Sequence, residues 1–214
     1  MRDLCQHIMD LVENAAAAGA RAVTITLREE PEADRLALAV EDDGRGMSAE
    51  DARQAADPFF TTRSLDSARD RPGVGAGRQV RRVGLGLSLL QAAAERAGGA
   101  FDLESEPGRG TRVECSFALS NVDTPPLGDV ATTLAALVAL HPELRLRYEH
   151  DRAGRRFCLD TAELGQALGD DIALSSPAAA SALRRQLTRA WEAFVGPPPG
   201  APADRELAMT DCMP

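Results

Sequence analysis

The chain has 214 residues, and all 24 of its basic side chains are arginines, so it contains no lysine. Walker A loops, protein kinases and Schiff-base enzymes each depend on a lysine, so these three chemistries are excluded. The net charge of −9 argues against nucleic acid or an anionic membrane as a partner. No apolar run approaches the length of a membrane span, so we expect a cytoplasmic protein without a membrane segment. The four cysteines form no CxxC pair, and the three histidines show no metal-ligand spacing.

The first part of the chain is predicted to combine helices with two pairs of strands. Apolar residues recur at helical spacing in residues 3–18, and Gly19 is expected to end that helix. Ser48 and Asp51 form a pair typical of a capping box, which predicts a short helix beginning at Ser48. The other predicted elements are strands over 21–28 and 35–41, a helix over 87–97, and strands over 100–105 and 111–119.

The pattern breaks at residues 121–127 (NVDTPPL), and we place a boundary there. The chain then divides into a domain over 1–120, a linker over 121–127, a small α+β module over 128–195 and a tail over 196–214, which is predicted to be disordered. The module carries no chemical motif, and Trp191 and Phe194 on its last helix are expected to be core residues. Its predicted elements are a helix over 129–140, a hairpin of 143–149 and 155–160, a short helix near 161–168 and a longer helix over 177–195.

One face of the first helix carries a polar stripe opposite its apolar residues. Four residues share this face at spacings of four, three and four, namely Asp3, His7, Asp10 and Asn14. For the helix alone, a solvated face is the more frequent explanation of such a stripe. The motifs that follow along the chain favour a functional explanation.

The second predicted strand ends in the run EDDGRGM (41–47). A carboxylate at a strand end can accept a hydrogen bond from an exocyclic amine, and the glycines let a ligand ring approach the backbone closely. Further along, VGLGLS (83–88) leads into a helix, and glycines before a helix N-terminus present free N–H groups to phosphate. An ordinary turn explains either motif by itself, so their order along the chain is the stronger observation.

Five short motifs follow one another along residues 1–119. They are DLVENAAAAGA (10–20), EDDGRGM (41–47), DPFFTTRS (57–64), VGLGLS (83–88) and GRGT (108–111). Their order and spacing resemble five motifs of the GHKL ATPases, namely the N-box, first glycine box, F-box, second glycine box and final GxGT. This superfamily includes DNA gyrase B, MutL, the heat-shock chaperone of ninety kilodaltons and the histidine kinases. The resemblance implies a Bergerat fold, an α+β two-layer sandwich in which helices lie on a mixed antiparallel sheet and ATP is held between them.

The resemblance implies roles for residues at matching positions. Asn14 would coordinate a Mg²⁺ ion that bridges the phosphates, and Asp42 would bind the adenine amine. Asp42 matches better than Asp43 because it lies two positions before Gly44, and Asp43 is expected to face solvent. Thr111 would support Asp42 and an adenine-bound water. The other implied nucleotide contacts are Gly44, Gly46, Met47, Phe60, Thr61, Thr62, Gly84, Leu85, Gly86 and Leu87.

The loop over 63–82 corresponds to the lid of the resembling family. It carries six arginines against two aspartates, although the whole chain is acidic. A solvated loop is the simpler explanation, but such a charge reversal beside an expected triphosphate favours phosphate contact. Phe59 and Phe60 resemble the F-box pair that anchors this lid.

Two branches of the superfamily remain open. In MutL the residue four before the Asn is a Glu that acts as general base for water. Asp10, whose side chain is one methylene shorter, occupies that position here. Glu13 is a second candidate for the general base. DPFFTTRS and GLGLS are of histidine-kinase type, yet no helical hairpin with a phosphoacceptor histidine precedes the N-box. His7 lies on the N-box helix itself, while His141 and His150 lie outside any long helical hairpin. A transferred phosphate would therefore go to another chain.

Three functional hypotheses follow. The first is an ATP- and Mg²⁺-binding protein of two-component signalling, which transfers phosphate to a protein partner or binds that partner only when ATP is bound. The second is an ATPase of MutL or gyrase type that hydrolyses ATP as a homodimer. The third is a non-catalytic adaptor with a structural nucleotide site. None of the three requires nucleic acid or a membrane as partner.

Overall fold

The computed structural model describes residues 2–56, 85–168 and 177–196. The helices are α1 (Leu4–Ala17), α2 (Ala49–Ala56), α3 (Leu85–Arg96), α4 (Val130–Leu140), α5 (Thr161–Leu168) and α6 (Pro177–Val195). The strands are β1 (Ala22–Glu30), β2 (Arg35–Asp42), β3 (Phe101–Glu106), β4 (Gly110–Ala118), β5 (Arg145–Arg152) and β6 (Arg155–Asp160). Every one of these elements was expected from the sequence, and the bounds differ by at most three residues. No helix in the described ranges has both the length and the apolar character needed to cross a bilayer.

Some of the expected site residues lie outside the described ranges, namely Phe59, Phe60, Thr61, Thr62 and Gly84. The lid over 63–82 and the tail beyond residue 196 lie outside them as well. The roles expected for these residues therefore stay predictions.

The six strands form one mixed sheet in the order β3-β4-β2-β1-β5-β6. Neighbouring strands are antiparallel except β1 and β5, which run parallel. The strands bury alternate residues; in β1 these are Val23, Ile25 and Leu27. The buried strand positions join apolar helix residues in one hydrophobic core. The prediction of an α+β two-layer sandwich with a mixed sheet is confirmed.

Helix α1 contacts β1 and β2, and its start is held from two sides. The side chain of Asp3 accepts a hydrogen bond from a backbone N–H of the first turn at 2.8 Å, as an N-cap does. The N–H groups of Leu4 and Cys5 donate to the carbonyl groups of residues 126–127 at 2.9 and 3.0 Å. At the other end Gly19 has φ +78°, so the expected stop residue adopts the left-handed conformation that ends helices.

Strands β5 and β6, which follow the expected boundary, continue the same sheet. Strand β5 pairs with β1 along its length, with Ile25 opposite Tyr148, and β6 forms the outer edge. Helix α6 packs on α4 and β6. The boundary expected at 121–127 therefore connects two parts of one sheet, and the buried residues on both sides of it belong to one core.

An aromatic cluster fills the space between α6 and the last two strands. The rings of Trp191 and Phe194 are 5.3 Å apart, and Phe157 meets both of them. His150 lies within the cluster, fully buried, with its Nε2 atom 2.9 Å from the Oε1 atom of Glu29. This hydrogen bond is the main reason that the pKa of Glu29 lies below its ordinary value. Phe194 is a core residue, as expected, whereas Trp191 is partly buried and packs against the core.

Candidate functional site

Asp42 closes strand β2 with a half-buried carboxylate. Its Oδ1 atom accepts a hydrogen bond from the backbone N–H of Gly44 at 2.8 Å. Asp42 lies opposite Thr111 in the β2–β4 pair, which brings the backbone N–H of Thr111 near the carboxylate. Burial raises the pKa of Asp42, and the two N–H groups act against that rise. The carboxylate is therefore fixed in orientation, and its remaining lone pairs can accept a hydrogen bond from a ligand.

Ser105 on β3 joins the chain segments around Asp42. Its Oγ atom accepts a hydrogen bond from the N–H of Met47 at 2.9 Å and donates to the carbonyl of Gly110 at 3.0 Å. The Oγ1 atom of Thr111 lies 2.9 Å from the same oxygen, so Thr111 is the donor in that pair. No sequence motif marks Ser105; the signal for it is the register of the β3–β4 hairpin, which places it opposite Thr111.

Two glycines allow backbone segments to meet at the end of β2. Gly46 has φ +63°, and a β-carbon there would lie 2.0 Å from the carbonyl oxygen of Glu106. A β-carbon at Gly110 would lie 1.9 Å from the carbonyl oxygen of Asp42. Through these contacts the loop after β2 packs on the β3–β4 turn, and the two segments are also hydrogen-bonded at 2.8 Å. The glycines of these two motifs therefore shape the site itself, in addition to any approach of a ligand ring.

The neighbouring Asp43 is exposed, as expected, but its carboxylate is bound to the start of β1. Its Oδ1 atom accepts hydrogen bonds from the N–H groups of Arg21 and Ala22 at 2.7 and 2.9 Å. The N–H of Ala22 is the main reason that the pKa of Asp43 lies below its ordinary value, and the N–H of Arg21 adds to the effect. The two adjacent carboxylates thus have opposite pKa shifts. Asp42, whose oxygens are less fully bound, is the better candidate to face a ligand.

The start of α3 meets α1 beside Asp10. A β-carbon at Gly86 would lie 3.1 Å from the Cβ atom of Asp10, so the two helices approach closely here. Leu87 is buried in the core, which leaves its backbone as the part that could line a ligand. The first N–H groups of any α-helix have no partner within the helix and suit phosphate binding. We call the region of Asp10 and Gly86 the phosphate end of the candidate site, and the region of Asp42 and Thr111 the adenine end.

Asn14 lies on α1 one turn beyond Asp10 and is half-buried. Its side chain makes no hydrogen bond to any residue in the described ranges. Helix α1 ends beside the adenine end, because the carbonyl of Ala18 accepts a hydrogen bond from the N–H of Arg45 at 3.1 Å. Among the described residues no three His, Cys, Asp or Glu side chains form a metal-binding group. A Mg²⁺ ion at Asn14 would therefore take its other ligands from phosphate and water, as Mg²⁺ commonly does.

The two candidate bases have different surroundings. The Oε1 atom of Glu13 lies 3.1 Å from the Nε2 atom of His141, which follows α4, so Glu13 faces the C-terminal part of the chain. Asp10 faces the start of α3, and its Oδ2 atom lies 2.5 Å from Nη1 of Arg2. Arg2 belongs to none of the five motifs, and the sequence pattern contains no signal for it.

His7, on the same face of α1, is 2% exposed, and its buried Nδ1 atom has no hydrogen-bond partner among the described residues. Burial lowers the pKa of His7, and the positive charge of Arg2 adds to that effect. The polar stripe is therefore not a solvated face, since it is buried at His7 and half-buried at Asp10 and Asn14.

A cavity of about 980 Å³ opens at the adenine end. Asp42 and Thr111 line it together with β3, part of α2 and Gln91 of α3. This volume is at the upper end of the range of small-molecule sites, about 300–1,000 Å³. Asn14 and Asp10 are not among the described residues that line it. The structure thus brings Asp42, Thr111 and the glycine loops together and leaves the phosphate end separate from the cavity.

Comparison with known proteins decides the family. A profile described as histidine kinase-, DNA gyrase B- and HSP90-like ATPase matches residues 1–121, more than half of the chain. The chain belongs to this ATPase family. All five motifs fall within the matched residues, so the resemblance at superfamily level is confirmed. The likeness of the N-box to that of MutL stays a prediction.

Several curated relatives of this ATPase are sensor proteins and histidine kinases. The virulence sensor protein BvgS of Bordetella bronchiseptica is 30% identical over 145 residues, which cover 66% of this chain and 11% of that protein. Histidine protein kinase DivJ of Caulobacter vibrioides is 34% identical over 112 residues, covering 52% and 17%. The gliding motility regulatory protein of Myxococcus xanthus is 31% identical over 169 residues, covering 68% and 22%. The chain spans less than a quarter of the length of these relatives, so the likeness concerns one part of them.

Proposed function

We propose that this ATPase-family chain binds ATP with Mg²⁺ and acts in signalling of the histidine-kinase type. The observation that carries the proposal is Asp42, a half-buried carboxylate oriented by the N–H of Gly44 beside a nucleotide-sized cavity. The adenine amine would donate to Asp42, with Thr111 in support. Asn14 would help to hold Mg²⁺, which when bound offsets the negative charge of the phosphates. The start of α3 would receive the phosphates at its first backbone N–H groups.

The phosphoacceptor in this proposal lies on another protein. The chain contains three histidines, and two of them, His7 and His150, are 2% and 0% exposed. The third, His141, is mostly buried and lies against Glu13. Buried rings cannot reach the terminal phosphate of a bound nucleotide, so transfer within the chain is disfavoured. We therefore propose transfer to a partner protein, or a partner surface that forms only when ATP is bound.

A second candidate function is hydrolysis of ATP by a homodimer, as in MutL or gyrase. One observation favours it: Asp10 lies beside the start of α3 at the phosphate end, where a general base would be needed. In this alternative Asp10 would orient a water molecule, and Glu13 would take no part because it faces His141.

The site assignment is tested by a matched pair of variants, Asp42→Asn and Asp43→Asn. Binding of ATP in the presence of Mg²⁺ would be measured by titration calorimetry. Asp42→Asn should weaken binding by at least about tenfold, because a hydrogen bond to a charged group is worth roughly 1.5–3 kcal/mol. Asp43→Asn makes the same chemical change one position along and should keep the affinity, because that carboxylate is bound to β1. Equal affinity of the Asp42→Asn variant and the wild type would refute the site assignment.

The reaction is tested with ATP labelled at the terminal phosphate. The protein is incubated with a lysate of the source cell, and labelled proteins are separated by electrophoresis. A second labelled protein, with a label that survives alkali but not acid, would support phosphoryl transfer to a histidine. Labelled inorganic phosphate released by the purified chain alone would support hydrolysis. Binding of ATP without either product would support ATP-gated partner binding or an adaptor.

A further inference from the structure

An ion pair joins Arg2 to Asp10 at the phosphate end of the site. The Nη1 atom of Arg2 lies 2.5 Å from the Oδ2 atom of Asp10, and both side chains are partly exposed, at 45% and 37%. The same Oδ2 atom lies 3.4 Å from the position that a β-carbon on Gly86 would take. One carboxylate oxygen therefore contacts the Arg2 guanidinium and lies close to the backbone at the start of α3.

The rest of this face of α1 is acidic or neutral. Asp3 and Asp10 carry negative charge, and Asn14 is uncharged. His7 adds little positive charge at neutral pH, because burial lowers its pKa. Arg2 is therefore the cation that the described part of the chain places beside Asp10. A polyphosphate approaching the start of α3 would be repelled by Asp10 unless a cation offset that charge.

We propose that Arg2 recognises the terminal phosphate of ATP by leaving Asp10 and binding the phosphate oxygens. This inference rests on the proposed function, because it assigns a residue to the same nucleotide site. A guanidinium can form paired hydrogen bonds to phosphate, and phosphate carries more negative charge than one carboxylate. A partly exposed ion pair contributes little to stability, so Arg2 can exchange partners at low cost.

The exchange would make Arg2 a residue that distinguishes ATP from ADP. ADP lacks the terminal phosphate, so Arg2 would stay on Asp10 when ADP is bound. Asp42 and Thr111, at the other end of the site, would contact both nucleotides equally. Loss of Arg2 should therefore change the ratio of the two affinities, whereas loss of Asp42 should lower both.

The test compares ATP and ADP affinities, with Mg²⁺ present, for the wild type, Arg2→Ala and Arg35→Ala. Arg35 is the matched control, because it forms a similar partly exposed ion pair with Glu30 at the far end of the β1–β2 hairpin. Arg2→Ala should weaken ATP binding by about tenfold and leave ADP binding unchanged, the size expected for losing a charge-assisted hydrogen bond. Arg35→Ala should change neither affinity. If Arg2→Ala weakens both nucleotides equally or neither of them, the proposal is wrong.

A second pair of variants tests the exchange of partners. Asp10→Asn removes the carboxylate that holds Arg2, so it should strengthen ATP binding relative to ADP by several-fold. The double variant Arg2→Ala/Asp10→Asn should lose that gain. A gain that persists without Arg2 would show that Asp10 only repels the phosphate, and the exchange would be rejected.

Two further measurements distinguish a misfolded variant from a real loss of phosphate recognition. Circular dichroism and thermal melting check that each variant is folded, and Arg2→Gln, which keeps a long side chain, should reproduce the effect of Arg2→Ala. A wild-type protein that binds neither ATP nor ADP would overturn both the proposed function and this inference. A wild type that binds ATP, with an ATP-to-ADP ratio unaffected by either Arg2 variant, would overturn this inference alone.

Discussion

The Nε2 atom of His141 lies 3.1 Å from the Oε1 atom of Glu13, although the two residues are 128 positions apart. The contact joins the segment after α4 to the middle of α1. It also directs Glu13 away from the start of α3, where Asp10 is found. Position along the helix alone leaves both Asp10 and Glu13 as candidate general bases. The contact with His141 favours Asp10, because it holds Glu13 away from the start of α3.

The different surroundings of Asp10 and Glu13 predict that substitution of each will affect ATP hydrolysis differently. If the chain hydrolyses ATP, Asp10→Asn should slow the release of phosphate by about 10²-fold or more, the usual contribution of a general base. Glu13→Gln should keep the wild-type rate. Steady-state release of inorganic phosphate measures both. Loss of turnover in Glu13→Gln, with turnover kept in Asp10→Asn, would reverse the assignment.

Asn14 is expected to couple Mg²⁺ to nucleotide binding. Asn14→Ala should bind ATP as the wild type does when EDTA removes the metal, because the adenine end is unchanged. The gain in affinity on adding Mg²⁺ should fall by about tenfold, a typical effect of disturbing a metal site. Asn121→Ala is the control, since that amide donates to the carbonyl of Arg96 instead. A full Mg²⁺ response in Asn14→Ala would argue against the metal role.

Gly46 and Gly108 form a matched pair for testing the close backbone approach. Both have positive φ, but a β-carbon at Gly108 would meet no atom within 4 Å, whereas one at Gly46 would lie 2.0 Å from the carbonyl oxygen of Glu106. Gly108→Ala should lower the free energy of unfolding by about 1–2 kcal/mol through backbone strain. Gly46→Ala should lower it by about 1–3 kcal/mol more, because the loop must move. Urea denaturation measures the difference, and equal losses would mean that the contact relaxes freely.

His7 predicts a dependence of stability on pH. Its pKa in the fold lies below the ordinary value of 6.5, mainly because the ring is buried. Below about pH 6.5 the unfolded chain binds a proton that the folded chain does not, so the free energy of unfolding falls as pH is lowered towards the depressed pKa. His7→Leu should remove this contribution to the slope, while His141→Gln, with His7 intact, should keep it. Urea denaturation over this pH range provides the test, and identical slopes for wild type and His7→Leu would contradict the expectation.

The elements of the fold could be predicted because their signals are local. Ser48 shows this well: its Oγ accepts a hydrogen bond from the N–H of Asp51 at 3.1 Å, as the capping pattern predicts. The pairing of β1 with β5 could not be predicted in the same way. The register that places Ile25 opposite Tyr148 depends on contacts more than 100 positions apart, and no turn motif specifies it.

The residues of the candidate site also fall into two groups: those marked by a local sequence motif and those placed by long-range contacts. Asp42 follows from a motif at a strand end, and its preference over Asp43 is supported by the hydrogen bonds that bind Asp43 to Ala22. Arg2 and Ser105 carry no motif, because their positions depend on how α1 meets α3 and how β3 pairs with β4. Residues that act through tertiary contacts leave little pattern in a single sequence.

The parallel pairing of β1 and β5 has a consequence for solubility. Strand β1 is hydrogen-bonded on both sides, to β2 and to β5, so neither row of its peptide groups is open. Without the β5–β6 hairpin, β1 would become a nine-residue edge strand with Ile25 and Leu27 at its centre. Long apolar edge strands recruit strands from other chains and promote aggregation. We expect a fragment ending at residue 121 to keep all five motifs and yet to aggregate. The β5–β6 hairpin therefore covers a sheet edge that would otherwise be exposed in the part of the chain that carries the motifs.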